Sequence, residues 1–257
     1  MSIYQHFRPE ERDFIDLVHQ WKDYVESTYS AKLTDFLDPR EQQIVTTILG
    51  RHAELQFGLF GGSETTERQR AIFYPEYMSV EQEDFQISLF EIAYPAKFVT
   101  IEHRQVLGSL MSLGLKRGKF GDILVDQDRV QFFAAKEIAD YVRNQLQSVG
   151  KAAVRIEEIP LEHALSVAEA WSELSATISS LRLDTVVAGL YNLSRQKAQL
   201  LIQQGIVKVN WSTIESTSFE CGAGDIISIK GYGRCKLISI EGKTKKDKWK
   251  ITAGRQK

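Results

Sequence analysis

Leu181–Leu237, LRLDTVVAGLYNLSRQKAQLLIQQGIVKVNWSTIESTSFECGAGDIISIKGYGRCKL, is the stretch in which periodicity, capping and charge agree. Leu183, Val186, Val187 and Leu190 recur at helical spacing up to Tyr191, and Asp184 falls in the first turn, where a carboxylate suits the helix dipole. Ser194 is placed to cap a second helix running through Ala198, Leu201 and Ile202. Gly205 reads as its left-handed terminus, a conformation that glycine takes without a β-carbon clash. Strands are expected at Ile206–Asn210 and Asp225–Ile229, the second entered through the turn Gly222–Asp225. Residues 181–257 hold 14 Lys+Arg against 6 Asp+Glu, a net +8, while residues 1–180 hold 18 against 28, a net −10. A formal charge of −2 therefore conceals a basic, polyanion-binding module carried on an acidic body.

Upstream the chain changes character twice. Pro9 to Thr28 reads as an amphipathic helix with Phe14, Leu17, Val18, Trp21 and Val25 on one stripe, and Asp38-Pro39 opens a second helix through Leu49 to Gly50. Leu55–Phe60 and Arg70–Tyr74 alternate as a β-hairpin around Gly61-Gly62-Ser63, which lacks the Lys-Ser/Thr of a phosphate cradle. Residues 76–160 then give strand Phe85–Ile92, with Phe98–Ile101 extending or following it, helix His103–Leu113, and a hairpin Asp122–Phe133 around Gln127-Asp128. Helix Lys136–Gln147 and strand Ala153–Ile159 complete them. This βαββαβ order is ferredoxin-like, a topology shared with RNA-recognition motifs, although their aromatic signature is not legible here. Lys116, Arg117 and Lys119 fall in the turn before the hairpin, where flexible cations either track a phosphate backbone or are simply solvated. Residues 161–180 read as a linker with at most a short strand at Ala176–Ile178. The fold expected is α+β: a helical N-terminal region with a hairpin (1–75), a ferredoxin-like domain (76–160), the linker, and the C-terminal module with a basic tail (181–257).

The C-terminal residues resemble the small RNA-binding domain typified by ribosomal small-subunit protein S-four. The likeness rests on Arg182-Leu-Asp184, Asn192-Leu-Ser-Arg195, Ala198, Leu201-Ile202, Gly205, Val207–Asn210 and Gly224–Ser228. It implies RNA contacts at Arg182, Arg195, Lys197 and Lys208, with Arg234 at a position that is often basic. The chemistry agrees, because Arg182 and Arg195 stand at the starts of the two helices, where guanidinium groups reach phosphates beside the helix amides. Each is expected to be a surface contact whose removal leaves the fold intact. Trp211 and Tyr232 either stack on bases or pack under the hairpin, and the tail Lys243–Lys250 adds unspecific electrostatic attraction.

The whole chain is similar to the YlmH family of Gram-positive bacteria. The further motifs are Phe60-Gly-Gly62, Glu67-Arg-Gln-Arg-Ala71, Tyr74-Pro75, His103-Arg104, Leu107–Met111, Lys116–Lys119, Gly121-Asp-Ile123 and Ser179–Asp184. This resemblance implies a non-enzymatic, ribosome-associated factor whose partners are ribosomal RNA, tRNA and the large ribosomal subunit. It implies that peptidyl-tRNA is held there during alanine tailing of stalled chains, with a possible link to cell division. The alternative is an RNA-modifying enzyme such as a relative of the pseudouridine synthases, which carry a similar module.

The residues themselves argue for little catalysis. His6, His19, His52, His103 and His163 are scattered, and no metal-ligand spacing, nucleophile elbow or nucleotide fingerprint occurs. No cofactor, metal or small-molecule substrate is expected. Cys221 and Cys235 are too few for a disulfide framework, no apolar run suits a membrane span, and the N-terminus has no signal-peptide core, so a cytoplasmic protein with reduced thiols is expected.

Overall fold

The computed structural model describes residues 7, 11–50, 55–166, 171–244 and 246–256. The chain forms two compact units, Met1–Val167 and Ala168–Lys257.

The first unit begins with α1 (Arg12–Thr28), β1 (Lys32–Leu37) and α2 (Pro39–Leu49), followed by the hairpin β2 (Leu55–Phe60) and β3 (Gln69–Pro75). The expected start of α1 at Pro9 lies outside the described residues. Ile15, Val18 and Val25 are the buried residues of α1, whereas Leu17 is exposed, so the buried stripe is rotated from the one read in the sequence. α2 starts as its sequence dictates. Asp38 accepts from the amides of Arg40 and Glu41, and Glu41 accepts in return from the amide of Asp38 at 2.6 Å. β1, absent from the sequence reading, pairs antiparallel with β3 to give the order β1-β3-β2. Its alternation is short and is broken by a register shift between Leu33 and Phe36, which hides it from a period-two search.

β4 (Ile87–Ala93), α3 (His103–Ser112), β5 (Phe120–Asp126), β6 (Arg129–Ala135), α4 (Ala139–Gln145) and, after a small ribbon of β7 (Ser148–Val149) and β8 (Ala152–Ala153), β9 (Arg155–Ile159) complete this unit. The sheet order β5-β6-β4-β9, antiparallel throughout, is the ferredoxin-like arrangement. Residues 98–101 are not a strand: a turn over 96–98 precedes the start of α3. One core unites the four strands with α3 and α4 and takes in Phe36 from β1, so the three-stranded sheet and the ferredoxin-like sheet share packing.

The second unit is a six-stranded sheet, β10-β15-β14-β13-β11-β12, with two helices. β10 (Trp171–Ile178) precedes α5 (Leu183–Tyr191) and α6 (Arg195–Gln203). β11 (Val207–Val209), β12 (Ser212–Thr213), β13 (Ile226–Ile229), β14 (Gly233–Lys243) and β15 (Trp249–Gln256) follow. Two expectations are corrected here. Residues 171–178 are not a linker but an edge strand paired over its whole length with β15, from Trp171 opposite Gln256 to Ile178 opposite Trp249. The basic tail is likewise no tail: β15 lies inside the sheet between β10 and β14, and Ile251 and Ala253 are fully buried. The lysines that precede it had masked a strand that buries Ile251 to Gly254 in succession. Gly205 has φ +68°, the left-handed conformation that ends α6. No described helix is long and apolar enough to cross a membrane.

Candidate nucleic-acid interface

The start of α5 is fixed from outside the helix. Arg182 forms an isolated bridge with Glu220, and the amides of Leu183 and Asp184 donate to the carbonyls of Phe219 (2.8 Å) and Thr217 (3.2 Å). Those amides are therefore spent on the fold, and so is the amide of Lys197 in α6, which donates to Ser194 Oγ at 3.2 Å. At these two helix starts the amides of Leu183, Asp184 and Lys197 are thus already engaged, and the side chains of Arg182 and Arg195 are what the surface presents.

Asp184 organises those side chains. Its carboxylate is fully buried and accepts from Arg182 Nε and Nη2 (3.2 and 3.4 Å), Arg195 Nε (3.0 Å), Gln199 Nε2 (2.8 Å) and Thr185 Oγ1 (3.3 Å). Burial alone pushes the carboxyl up, but the hydrogen bonds from Arg182, Gln199 and Arg195, with the charge of Arg195, outweigh it and bring the pKa down to about 2. One buried carboxylate thus holds two arginines whose side chains remain 41% and 53% exposed. The pair carries a net +1, and the terminal nitrogens of Arg195 make no hydrogen bond among the described residues. A guanidinium held through Nε with its Nη edge in solvent is suited to a phosphate oxygen pair.

The remaining predicted cations lie on aromatic faces or around a groove. Lys197 Nζ sits 5.6 Å over Tyr232, which meets buried Tyr191 edge-on at 6.3 Å. Arg234 sits 5.8 Å over Trp211, which is carried at the β11–β12 turn where Asn210 and Trp211 both have positive φ. Lys208, Ser228 and Arg234 stand opposite one another across β11, β13 and β14, so all three side chains share one sheet face. Lys208 and Arg234, with Lys230 and the glycines at 231 and 233, border a shallow groove of about 510 Å³. Arg182 and Arg195 are brought together by Asp184, and Lys208 and Arg234 by the sheet register. The residues between them that sequence reasoning missed are Gln199, Lys230 and above all Asp184. An acid in the first turn reads as a partner of the helix dipole, and only its complete burial reveals it as the clamp. Further along the sheet, Lys243 and Lys250 are paired with Asp247 (2.7 Å) and Glu241 (2.6 Å), and Lys245 lies outside the described residues.

The middle-domain cations behave differently. Arg117 begins a short 3-10 turn and donates to the carbonyls of Phe120 (2.6 Å) and Gly121 (3.2 Å). Lys119 Nζ bonds both Asp35 (2.6 Å) and Glu137 (2.9 Å), and Glu137 also takes buried Arg70 at 3.2 Å. Burial opposes the charge of Lys119, yet these two carboxylates raise its pKa. The expected flexible trackers are therefore structural for Arg117 and Lys119, and Lys116 alone of the three is exposed. The same motifs knit the three-stranded sheet to the ferredoxin-like one. Half-buried Asp122 accepts from the amides of Glu67 (2.5 Å) and Arg68 (3.1 Å), and Gly62, at φ +104°, is so close to Phe133 that a β-carbon would lie 2.4 Å from its ring. Both faces of the central strands are covered, since every residue of β6 from Val130 to Ala135 is buried and neighbours on a strand point to opposite sides. The base-stacking platform of an RNA-recognition motif is thus closed off.

Elsewhere, Glu102 and Arg104 are used at the start of α3, where Glu102 pairs with Arg104 at 2.7 Å and its amide donates to Gln105. Burial pushes the Cys221 thiol up to about 12, which suppresses thiolate chemistry. Among the described residues no group of three His, Cys, Asp or Glu could hold a metal ion.

Comparison with known proteins gives three consecutive family matches: "YlmH, N-terminal" over residues 10–78, "Putative RNA-binding domain in YlmH" over 80–163 and "S4 domain" over 181–227. A curated relative from Bacillus subtilis (strain 168), named ribosome-associated protein quality control protein P2, is 49% identical over 256 residues, covering 100% of this chain and 99% of its own. A solved structure, cell division protein ylmH from Streptococcus pneumoniae, matches with a TM-score of 0.56 at 34% identity, covering 64% of this chain and all of its own.

Proposed function

The chain belongs to the YlmH family, and on that premise we propose that it is an RNA-binding, ribosome-associated factor that acts without catalysis in quality control of stalled translation. It works in the cytoplasm, bound to the large ribosomal subunit, and holds a peptidyl-tRNA there while the stalled chain is extended. The observation that carries the RNA reading is the Asp184 clamp. A fully buried carboxylate fixes Arg182 and Arg195 at the starts of adjacent helices and leaves a surplus positive charge in solvent. Rigid, half-exposed guanidinium groups lose little entropy on meeting a phosphate, so they suit a structured RNA of fixed phosphate spacing. Lys197, Lys208, Lys230 and Arg234 extend the basic surface, with Tyr232 and Trp211 as stacking faces already flanked by cations. Lys116 is the remaining contact that the first unit offers.

The chemistry that an RNA-modifying enzyme would need has no support in this unit. Asp184, its strongly shifted carboxylate, is consumed in orienting two arginines. The test is crosslinking in cells followed by sequencing of the bound RNA, with co-sedimentation of the purified chain on large subunits over a range of salt. Large-subunit ribosomal RNA and tRNA should dominate the crosslinks, and binding should weaken steeply with salt through counterion release. Crosslinks confined to messenger RNA, or a flat salt response, would overturn the reading.

A further inference from the structure

The first unit keeps an exposed aromatic cluster that the RNA reading leaves unused. Tyr29 and Tyr77 are 70% and 72% exposed, Tyr24 on the last turns of α1 is exposed as well, and the Tyr77 hydroxyl donates to the carbonyl of Tyr29 at 3.1 Å. Tyr29 holds φ 53° and ψ 30°, the left-handed C-terminal position of a helix that glycine or asparagine fills at lower cost. A bulky ring kept there, strained and largely in solvent, is not explained by packing.

The charge around the cluster identifies its partner. Asp23 and Glu76, each next to one of these tyrosines, are exposed and make no ion pair among the described residues. Glu26 is exposed as well and pairs at 3.6 Å with Lys22. Residues 1–167 hold 18 Lys+Arg against 26 Asp+Glu, so the unit repels a polyanion as a whole. The central strand β6 of its ferredoxin-like sheet is buried on both faces, and two of the three cations in the 116–119 turn are bound within the fold. A cation already occupies one ring of the cluster: Lys32 Nζ lies 5.3 Å over Tyr24. Tyrosine faces beside unpaired carboxylates attract lysine and arginine, the first through the ring quadrupole and the second through charge.

We propose that the Tyr24–Tyr29–Tyr77 end of the first unit docks a lysine- and arginine-rich polypeptide segment. It is a protein-binding surface, separate from the RNA-binding surface of the second unit. The test uses the full chain, a short fluorescent peptide of arginine–glycine repeats, and large-subunit ribosomal RNA measured in parallel. Tyr29→Asn with Tyr77→Ala should weaken the peptide about tenfold, the scale of two exposed ring–cation contacts. RNA affinity should stay within about twofold, because neither substitution touches a proposed RNA contact. Asparagine tolerates the left-handed position and both rings are largely in solvent, so this variant should fold, which its thermal midpoint checks. Asp23→Asn with Glu76→Gln is a second variant at exposed positions, and it should also weaken the peptide while leaving RNA affinity unchanged. Unchanged peptide affinity in both variants overturns the proposal. A drop in RNA affinity with the tyrosine variant also overturns it, by making the cluster an RNA contact. Loss of RNA binding by the parent chain would instead strike the proposed function and leave this surface standing.

Discussion

Two clusters of cations and carboxylates, one in each unit, use the same residue types to opposite ends. Around Glu137, Lys119 and Arg70 face two carboxylates, Asp35 and Glu137, and the charges cancel. Around Asp184, Arg182 and Arg195 share a single carboxylate, and one positive charge is left over. In the first cluster Arg70 is buried and the carboxylates are part-exposed. In the second the carboxylate is buried and the arginines are part-exposed. Which partner is buried decides which charge the network presents to solvent: carboxylates in the first cluster and guanidinium groups in the second.

The sharpest way to break that contrast is Asp184→Ala. It should destabilise the second unit by about 3 kcal/mol, the scale of a broken buried ion pair. RNA affinity should fall about tenfold although the chain becomes more positive, since held arginines bind and loose ones do not. Rising affinity on large subunits would show that charge, not placement, governs binding. Replacing Arg182 and Arg195 together by Ala tests the other side of the clamp. The sequence suggested an intact fold after that change, but the structure predicts a loss of about 2 kcal/mol, because the buried carboxylate keeps only Gln199 and Thr185. Adding Asp184→Asn to the double variant should restore the denaturation midpoint but not RNA binding. The slope of log affinity against log salt should also fall by roughly two, one for each lost phosphate contact.

Acid titration separates the clusters more gently. The Asp184 pKa of about 2 lies below its unfolded value, so its stabilisation is complete above that value and disappears as pH falls toward 2. The second unit should therefore lose about 2 kcal/mol between roughly pH 4 and 2, a loss absent from Asp184→Asn. Lys119→Ala should cost the first unit about 1 kcal/mol, because its two ion pairs are part-exposed, with RNA affinity inside twofold. Lys116→Ala sits at the bottom of the scale: stability within about 0.5 kcal/mol and at most a few-fold change in RNA affinity.

The local rules were legible wherever the signal is local. The N-cap at Asp38, the left-handed Gly205 and the periodicity of α5 and α6 depend on neighbours within one turn, and the structure reproduces them. Strands whose partners are distant were not legible. β1 depends on β3, and β10 depends on β15, about eighty residues away. A polar edge strand, or a central one that follows a run of lysines, carries little signal until its partner supplies the ladder. The Lys116–Lys119 turn was half legible for a related reason: composition shows three cations, and only the fold shows that Asp35 and Glu137 pair with one of them.

By itself the sequence determined the βαββαβ order, the two-helix module and the placement of surplus positive charge, because these follow from periodicity, capping and counting. Tertiary structure alone decided that β6, central in the ferredoxin-like sheet, is buried on both faces, that the supposed linker and tail are strands, and that Asp184 commands Arg182 and Arg195. Burial is the physical reason. A carboxylate written among exposed residues is a helix-dipole partner, and the same carboxylate with no solvent must gather every nearby cation, which turns two scattered arginines into one site.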